Sequence, residues 1–189
     1  MILALPLPRW LLAYEDLLGN RYLSPEARLA LAIELSRKNV EHDTGGPFGA
    51  AIFERVSGRL VSIGVNRVEA AHSCLAHAEV LAIGAAQRQL QTYNLAGPRA
   101  HELYSSAQPC MMCAGAVLWS GVSRLVFAAT KADVERLVGF DEGILPRHWR
   151  TEFRRRGIEV EGGQQRKASC EVLRLYRSRG GAIYSSHTK

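Results

Sequence analysis

The chain has 189 residues, 47% of them hydrophobic and 22% charged, the balance of an ordinary globular protein and not of a disordered one. No apolar run reaches the length of about 18 residues that a membrane-crossing helix needs, and four cysteines do not build a disulfide framework at this length. The formal net charge of +6 is concentrated after about position 147. A basic tail can meet a polyanion such as RNA, but a lone basic stripe more often marks a solvated helical face or a subunit contact.

Met1 to Ala13 is apolar, yet Pro6, Pro8 and Arg9 interrupt it and no basic segment precedes it, so it does not read as a signal peptide. Residues 1–23 form an N-terminal extension to a single 1–189 domain, and a cytosolic, membrane-free location is expected. Ser24-Pro25-Glu26 has the chemistry of a helix start, with Ser24 as cap and Pro25 in the first turn. The apolar positions after it carry that helix to about Asn39. Gly45-Gly46-Pro47 breaks the chain. Phe48 to Phe53 then reads as a buried strand paired with Leu60 to Val65 through a turn at Ser57-Gly58. Further on, the pattern predicts a helix over His77 to Gln89, a strand over Leu103 to Ala107 and a helix over Met111 to Trp119. A strand over Arg124 to Ala129, a short helix over Ala132 to Val138, a strand over Ile158 to Val160 and a helix over Lys167 to Ser178 follow. An opening hairpin followed by alternating strands and helices predicts a three-layer α/β/α sandwich, a mixed sheet with helices on both faces. Ligands of such sheets sit outside the carboxyl ends of the strands.

Pro109-Cys110-Met111-Met112-Cys113 reads as a metal clip. Its two cysteines, three apart in a first helical turn, share one face, where the positive end of the helix dipole favours thiolates. A Cys-x-x-Cys pair alone fits redox chemistry or simple burial equally well. His77-Ala78-Glu79, 33 positions upstream, changes the balance. His-x-Glu followed by Pro-Cys-x-x-Cys is the signature of zinc deaminases. One histidine and two cysteines leave the fourth tetrahedral position to water, as in a catalytic zinc site. His77, Cys110 and Cys113 are therefore the expected ligands of one Zn²⁺ per chain, and Glu79 the expected proton shuttle. Cys74, three before His77, has the spacing of a fourth ligand that would close the site, but it and Cys170 are expected to be buried small hydrophobes. His72, His101, His148 and His187 lack ligand spacing and are expected mostly at the surface or at caps, and Trp10, Trp119 and Trp149 in the core or an interface.

From Gly45 to about Ile144 the chain resembles the cytidine/deoxycytidylate deaminase superfamily and, within it, guanine deaminases. The likeness is carried by Gly45-Gly46-Pro47-Phe48-Gly49-Ala50, by Asn66 in Gly64-Val65-Asn66-Arg67, and by Gly139-Phe140-Asp141-Glu142. Gln108 departs from it, standing where a glutamate usually precedes Pro-Cys. The resemblance implies deamination of a small nucleobase, guanine to xanthine and ammonia, and a homodimer. Asn66 would contact the base, Asp141 or Glu142 would accept from guanine's adjacent N–H donors, and Phe48 would pack near the ring. The bland alternative for Asp141 and Glu142 is a turn cap beside Gly143. Residues 180–189 would cover the site, with Tyr184 facing the substrate. The alternatives are a tRNA adenosine deaminase, which the basic tail favours and the Gly-Phe-Asp-Glu segment disfavours, a cytidine or cytosine deaminase, and a non-catalytic zinc module, which Glu79 argues against.

Overall fold

The computed structural model describes residues 7–184. The beginning of the apolar N-terminal stretch, the end of the expected C-terminal cover and His187 lie outside the described residues. Strands β1 (Gly49–Glu54), β2 (Leu60–Val65), β3 (His101–Ala107), β4 (Arg124–Ala129) and β5 (Glu159–Gly162) form one sheet in the order β2-β1-β3-β4-β5. The β1 strand is antiparallel to β2 and β3, whereas β3, β4 and β5 run parallel. This is the expected mixed sheet.

Seven α-helices accompany it: α1 (Arg9–Leu12), α2 (Pro25–Glu41), α3 (Ala78–Gln89), α4 (Met111–Ser120), α5 (Lys131–Leu137), α6 (Trp149–Arg155) and α7 (Arg166–Ser178). The cap at the start of α2 forms as its sequence dictates: Ser24 Oγ accepts the Ala27 N–H at 3.2 Å, with Pro25 in the first turn. On one side of the sheet, Leu29, Ala32 and Ile33 of α2 and Val172 and Leu173 of α7 share a core with Phe53 and Tyr104. On the other, Ala82 and Ile83 of α3 and Val117 of α4 pack with Ile52, Leu103 and Phe127. Two glycines set how closely the layers approach. A Cβ on Gly49 would lie 2.5 Å from the Ala32 carbonyl oxygen of α2, and one on Gly64 would lie 2.2 Å from that of Ala78 at the start of α3.

Helix α1, the 3₁₀ turn at Glu15–Leu17 and α6 have no counterpart in the sequence reading. Cys170 is buried, but Cys74 is exposed, a correction to the reading above: it lies in the turn before α3, where no helix or strand covers it. His101 is likewise buried, its Nδ1 2.8 Å from the Leu95 carbonyl oxygen, while His72 is exposed and His148 caps α6. Trp10 packs on Tyr14 and His42, and Trp149 on Phe127 and Phe153. Trp119 is 87% exposed. No helix among the described residues is long and apolar enough to cross a membrane.

Candidate metal centre and active site

At the ends of β2 and β3, two helices begin side by side. His77 is the cap residue of α3 and Cys110 that of α4, both in extended backbone, and Cys113 lies in the first turn of α4. His77 Nδ1 is 3.6 Å from Cys110 Sγ and 3.5 Å from Cys113 Sγ, and the three ligand atoms all fall within 4.8 Å of one another. Zinc takes sulfur at about 2.3 Å and nitrogen at about 2.0–2.1 Å, which makes a tetrahedral N–S edge about 3.6 Å long. The cluster already has that edge, so its donor set and spacing fit the metal.

The charges agree with this. The Cys113 S–H and His77 lower the Cys110 thiol to about 4, so it stands as a thiolate at neutral pH, while the hydrogen bond to Cys110 and then burial push Cys113 up. Burial works against a charged His77, but the Cys110 hydrogen bond and nearby negative charge outweigh it and raise its pKa. Glu79, in the first turn of α3, is buried, and burial first, then the Cys110 charge, raises its carboxyl. Ser105 donates its hydroxyl to Glu79 Oε1 at 3.1 Å, and Cys113 lies 3.4 Å from Oε2. Ser105 has no signal in the sequence, since nothing there shows that a strand serine faces a glutamate on α3.

A cavity of about 410 Å³ opens over this cluster, lined by His77, Glu79 and Cys110, by Phe48 and Asn66, and by Asp141, Glu142 and Tyr184. The fold thus brings the sequence-predicted residues to one place, with Cys113 buried behind them. Cys74 and Gln108 also reach the cavity wall. Gln108 Oε1 accepts the Lys131 N–H at 3.3 Å, tying the loop before α4 to the start of α5. Three buried polar side-chain atoms among the described residues lack a hydrogen-bond partner, and two of them, Asn66 Nδ2 and the Tyr184 hydroxyl, belong to residues lining this cavity. Unpaired buried polar groups are costly, and the residues that carry these two line space that a ligand can fill. Asn66 Oδ1 is already engaged, accepting the N–H groups of Gly46 and Val68 at 3.3 Å each.

The two acidic candidates differ. Asp141 is exposed and its Oδ1 accepts the Gly143 N–H at 2.9 Å, the arrangement of a turn cap. Glu142 is half-buried, and burial first, then the charges of Cys110 and Glu79, push it up to about 8. Phe140, not among the residues singled out earlier, packs between Phe48 at 5.5 Å and Tyr184 at 4.9 Å between ring centroids.

The family model for the cytidine and deoxycytidylate deaminase zinc-binding region matches residues 24–129. The chain belongs to this deaminase family. Among curated relatives, the guanine deaminase of Bacillus subtilis strain 168 is 35% identical over 123 residues, 65% of this chain and 75% of its own. The solved structure of guanine deaminase from Nitrosomonas europaea superposes with a TM-score of 0.89 at 45% identity, over 94% of this chain and 97% of that one. The structure of the protein NE0047 with 2,6-diaminopurine does so at 0.90 and 44% identity, over 99% and 98%. A deaminase of this family is a zinc-dependent aminohydrolase.

Proposed function

We propose that the chain hydrolyses guanine to xanthine and ammonia at one zinc per chain held by His77, Cys110 and Cys113. The observation that carries this reading is the meeting, in one cavity, of two unpartnered groups with the half-buried Glu142 carboxyl. Asn66 Nδ2 offers an N–H and Tyr184 its hydroxyl, and Glu142 offers a carboxyl oxygen. Guanine carries acceptors at O6 and N7 and adjacent donors at N1 and the 2-amino group, so this set suits its two edges. Of the two acidic candidates, Glu142 takes the base-reading role, because Asp141 already caps Gly143. Phe48 and Phe140 supply the apolar walls. The relatives named guanine deaminase support the same choice.

Bound zinc supplies the Lewis acidity that brings the pKa of water toward neutrality. Glu79, two residues from a ligand and steadied by Ser105, carries the two protons of water in turn, the first to a ring nitrogen and the second to the departing amino group. Water adds at the amino-bearing carbon and ammonia leaves, so atoms balance with no other reactant. Residues 180–184 cover the site: Tyr176 donates its hydroxyl to the Ala182 carbonyl at 2.6 Å and holds the strap on which Tyr184 reaches the cavity.

The chain acts as a homodimeric, single-domain cytosolic enzyme of purine breakdown. Helix α4 supports the dimer. It holds no charged residue, yet Met111 and Trp119 are exposed, and a helix apolar on all sides is ordinarily covered. The test is ammonia release from a panel of guanine, adenine, cytosine, cytidine, adenosine and a tRNA anticodon stem-loop. Guanine gives the highest kcat/KM; a preference for the stem-loop or for cytidine overturns the substrate.

A further inference from the structure

Asn39, on the last turn of α2, is fully buried. Its Nδ2 donates to the carbonyl oxygens of Gly46 and Asn66, each at 2.8 Å. Its Oδ1 accepts the Thr44 hydroxyl at 2.8 Å, and Thr44 Oγ1 accepts the Trp10 indole N–H at 2.9 Å. Both amide protons and the carbonyl of Asn39 are thus satisfied within the protein. Gly46 joins the two asparagines: its carbonyl accepts from Asn39, and its N–H donates to Asn66 Oδ1. Gly45 passes between them so closely that a Cβ there would lie 2.0 Å from the Asn66 carbonyl oxygen and 2.9 Å from Asn39 Nδ2.

We propose that Asn39 is a positioning residue for base recognition, which acts by fixing Asn66 at the cavity wall so that its Nδ2, and not its Oδ1, is the amide atom left without a partner. An asparagine amide can present either end. Here Oδ1 is drawn onto the Gly46 and Val68 N–H groups, and Asn39 Nδ2 shares with the Phe48 N–H the hold on the Gly46 carbonyl that keeps Gly46 in reach. Asn39 also holds the Asn66 backbone from the other side, so the amide is clamped at both ends. Trp10 and Thr44 extend the clamp to α1, which gives the N-terminal segment a part in recognition. A fully satisfied buried polar network suits this task because it admits one arrangement. The inference rests on the reading of Asn66 as a base contact.

A double-mutant cycle tests it. Asn39→Ala lowers kcat/KM for guanine by about tenfold or more in the otherwise native enzyme, the size of one misplaced buried hydrogen bond. In an Asn66→Ala background the same change costs less than about twofold, because the amide it steers is gone. Its effect on Tm is the same in both backgrounds, which separates positioning from general stability. Equal fold-losses in the two backgrounds, or no loss in either, overturn the proposal. Should Asn39→Ala fail to fold, Thr44→Val, which removes only the hydroxyl on Asn39 Oδ1, takes its place with an expected loss of about threefold. If the native enzyme prefers another base, the guanine reading fails and the cycle is run on that base, so the two failures are told apart.

Discussion

Ser105 and Glu79, one on β3 and one on α3, meet at 3.1 Å behind the metal cluster. The hydroxyl donates to the carboxylate oxygen, so Glu79 is held at one orientation while its pKa is raised by burial. Glu79→Gln retains zinc and fold but loses at least about a hundredfold in turnover, the usual size of a general acid–base contribution. Ser105→Ala, which removes the restraint and not the shuttle, costs about three- to tenfold. Near-normal turnover in Glu79→Gln, measured as ammonia release, would remove it from the mechanism.

The metal cluster makes a sharper demand. Cys110→Ala and His77→Ala each leave two of three protein donors, and both lose zinc and activity together. Elemental analysis is the check. A Cys110→Ala protein with one zinc per chain contradicts the ligand set.

Glu142 and Asp141 separate by environment, and their variants should separate by kinetics. Glu142→Gln lowers kcat/KM for guanine by about a hundredfold or more, since the half-buried carboxyl proposed to accept both substrate N–H groups becomes an amide with a single accepting oxygen. Asp141→Asn changes it by less than about threefold, because its contact is with the Gly143 N–H and an amide oxygen can still accept there. The reverse order would reassign the base-reading carboxylate.

The C-terminal strap is tested by truncation after Gly181. The shortened chain removes Ala182, Ile183 and Tyr184, and with them the Tyr184 hydroxyl at the cavity. Guanine turnover falls markedly while zinc content and Tm stay close to those of the full chain, because a cover excludes water and commits the bound base. Unchanged kinetics would show that these residues merely end the chain.

Away from the cavity, Glu102 is 1% exposed and bonds Arg28 at 2.7 Å and Tyr104 at 2.9 Å, with Arg55 and Arg124 each at 3.4 Å. Glu102→Ala leaves the buried Arg28 uncompensated and destabilises the fold by about 3–5 kcal/mol. Denaturant unfolding measures it. A loss below about 1 kcal/mol would mean that water or rearrangement takes over the role of Glu102.

The sequence by itself determined the chemistry of the metal cluster and most of the elements. His77, Glu79, Cys110 and Cys113 are legible because each half, His-x-Glu and Pro-Cys-x-x-Cys, is a short local motif and the two are read together as one signature, and the bounds of β2 and β4 because an apolar run closed by turn residues needs no distant partner. The Ser24 cap is visible for the same reason. Only the tertiary structure decided how the cavity is finished. Asn39 meets Asn66 across 27 positions and Glu79 meets Ser105 across 26, and no local pattern records which polar side chain a fold sets against which. The same holds for Asp141 and Glu142, adjacent and chemically alike. One turns to its own backbone and the other toward the cavity, because burial is a property of what packs around a residue and not of the residue itself.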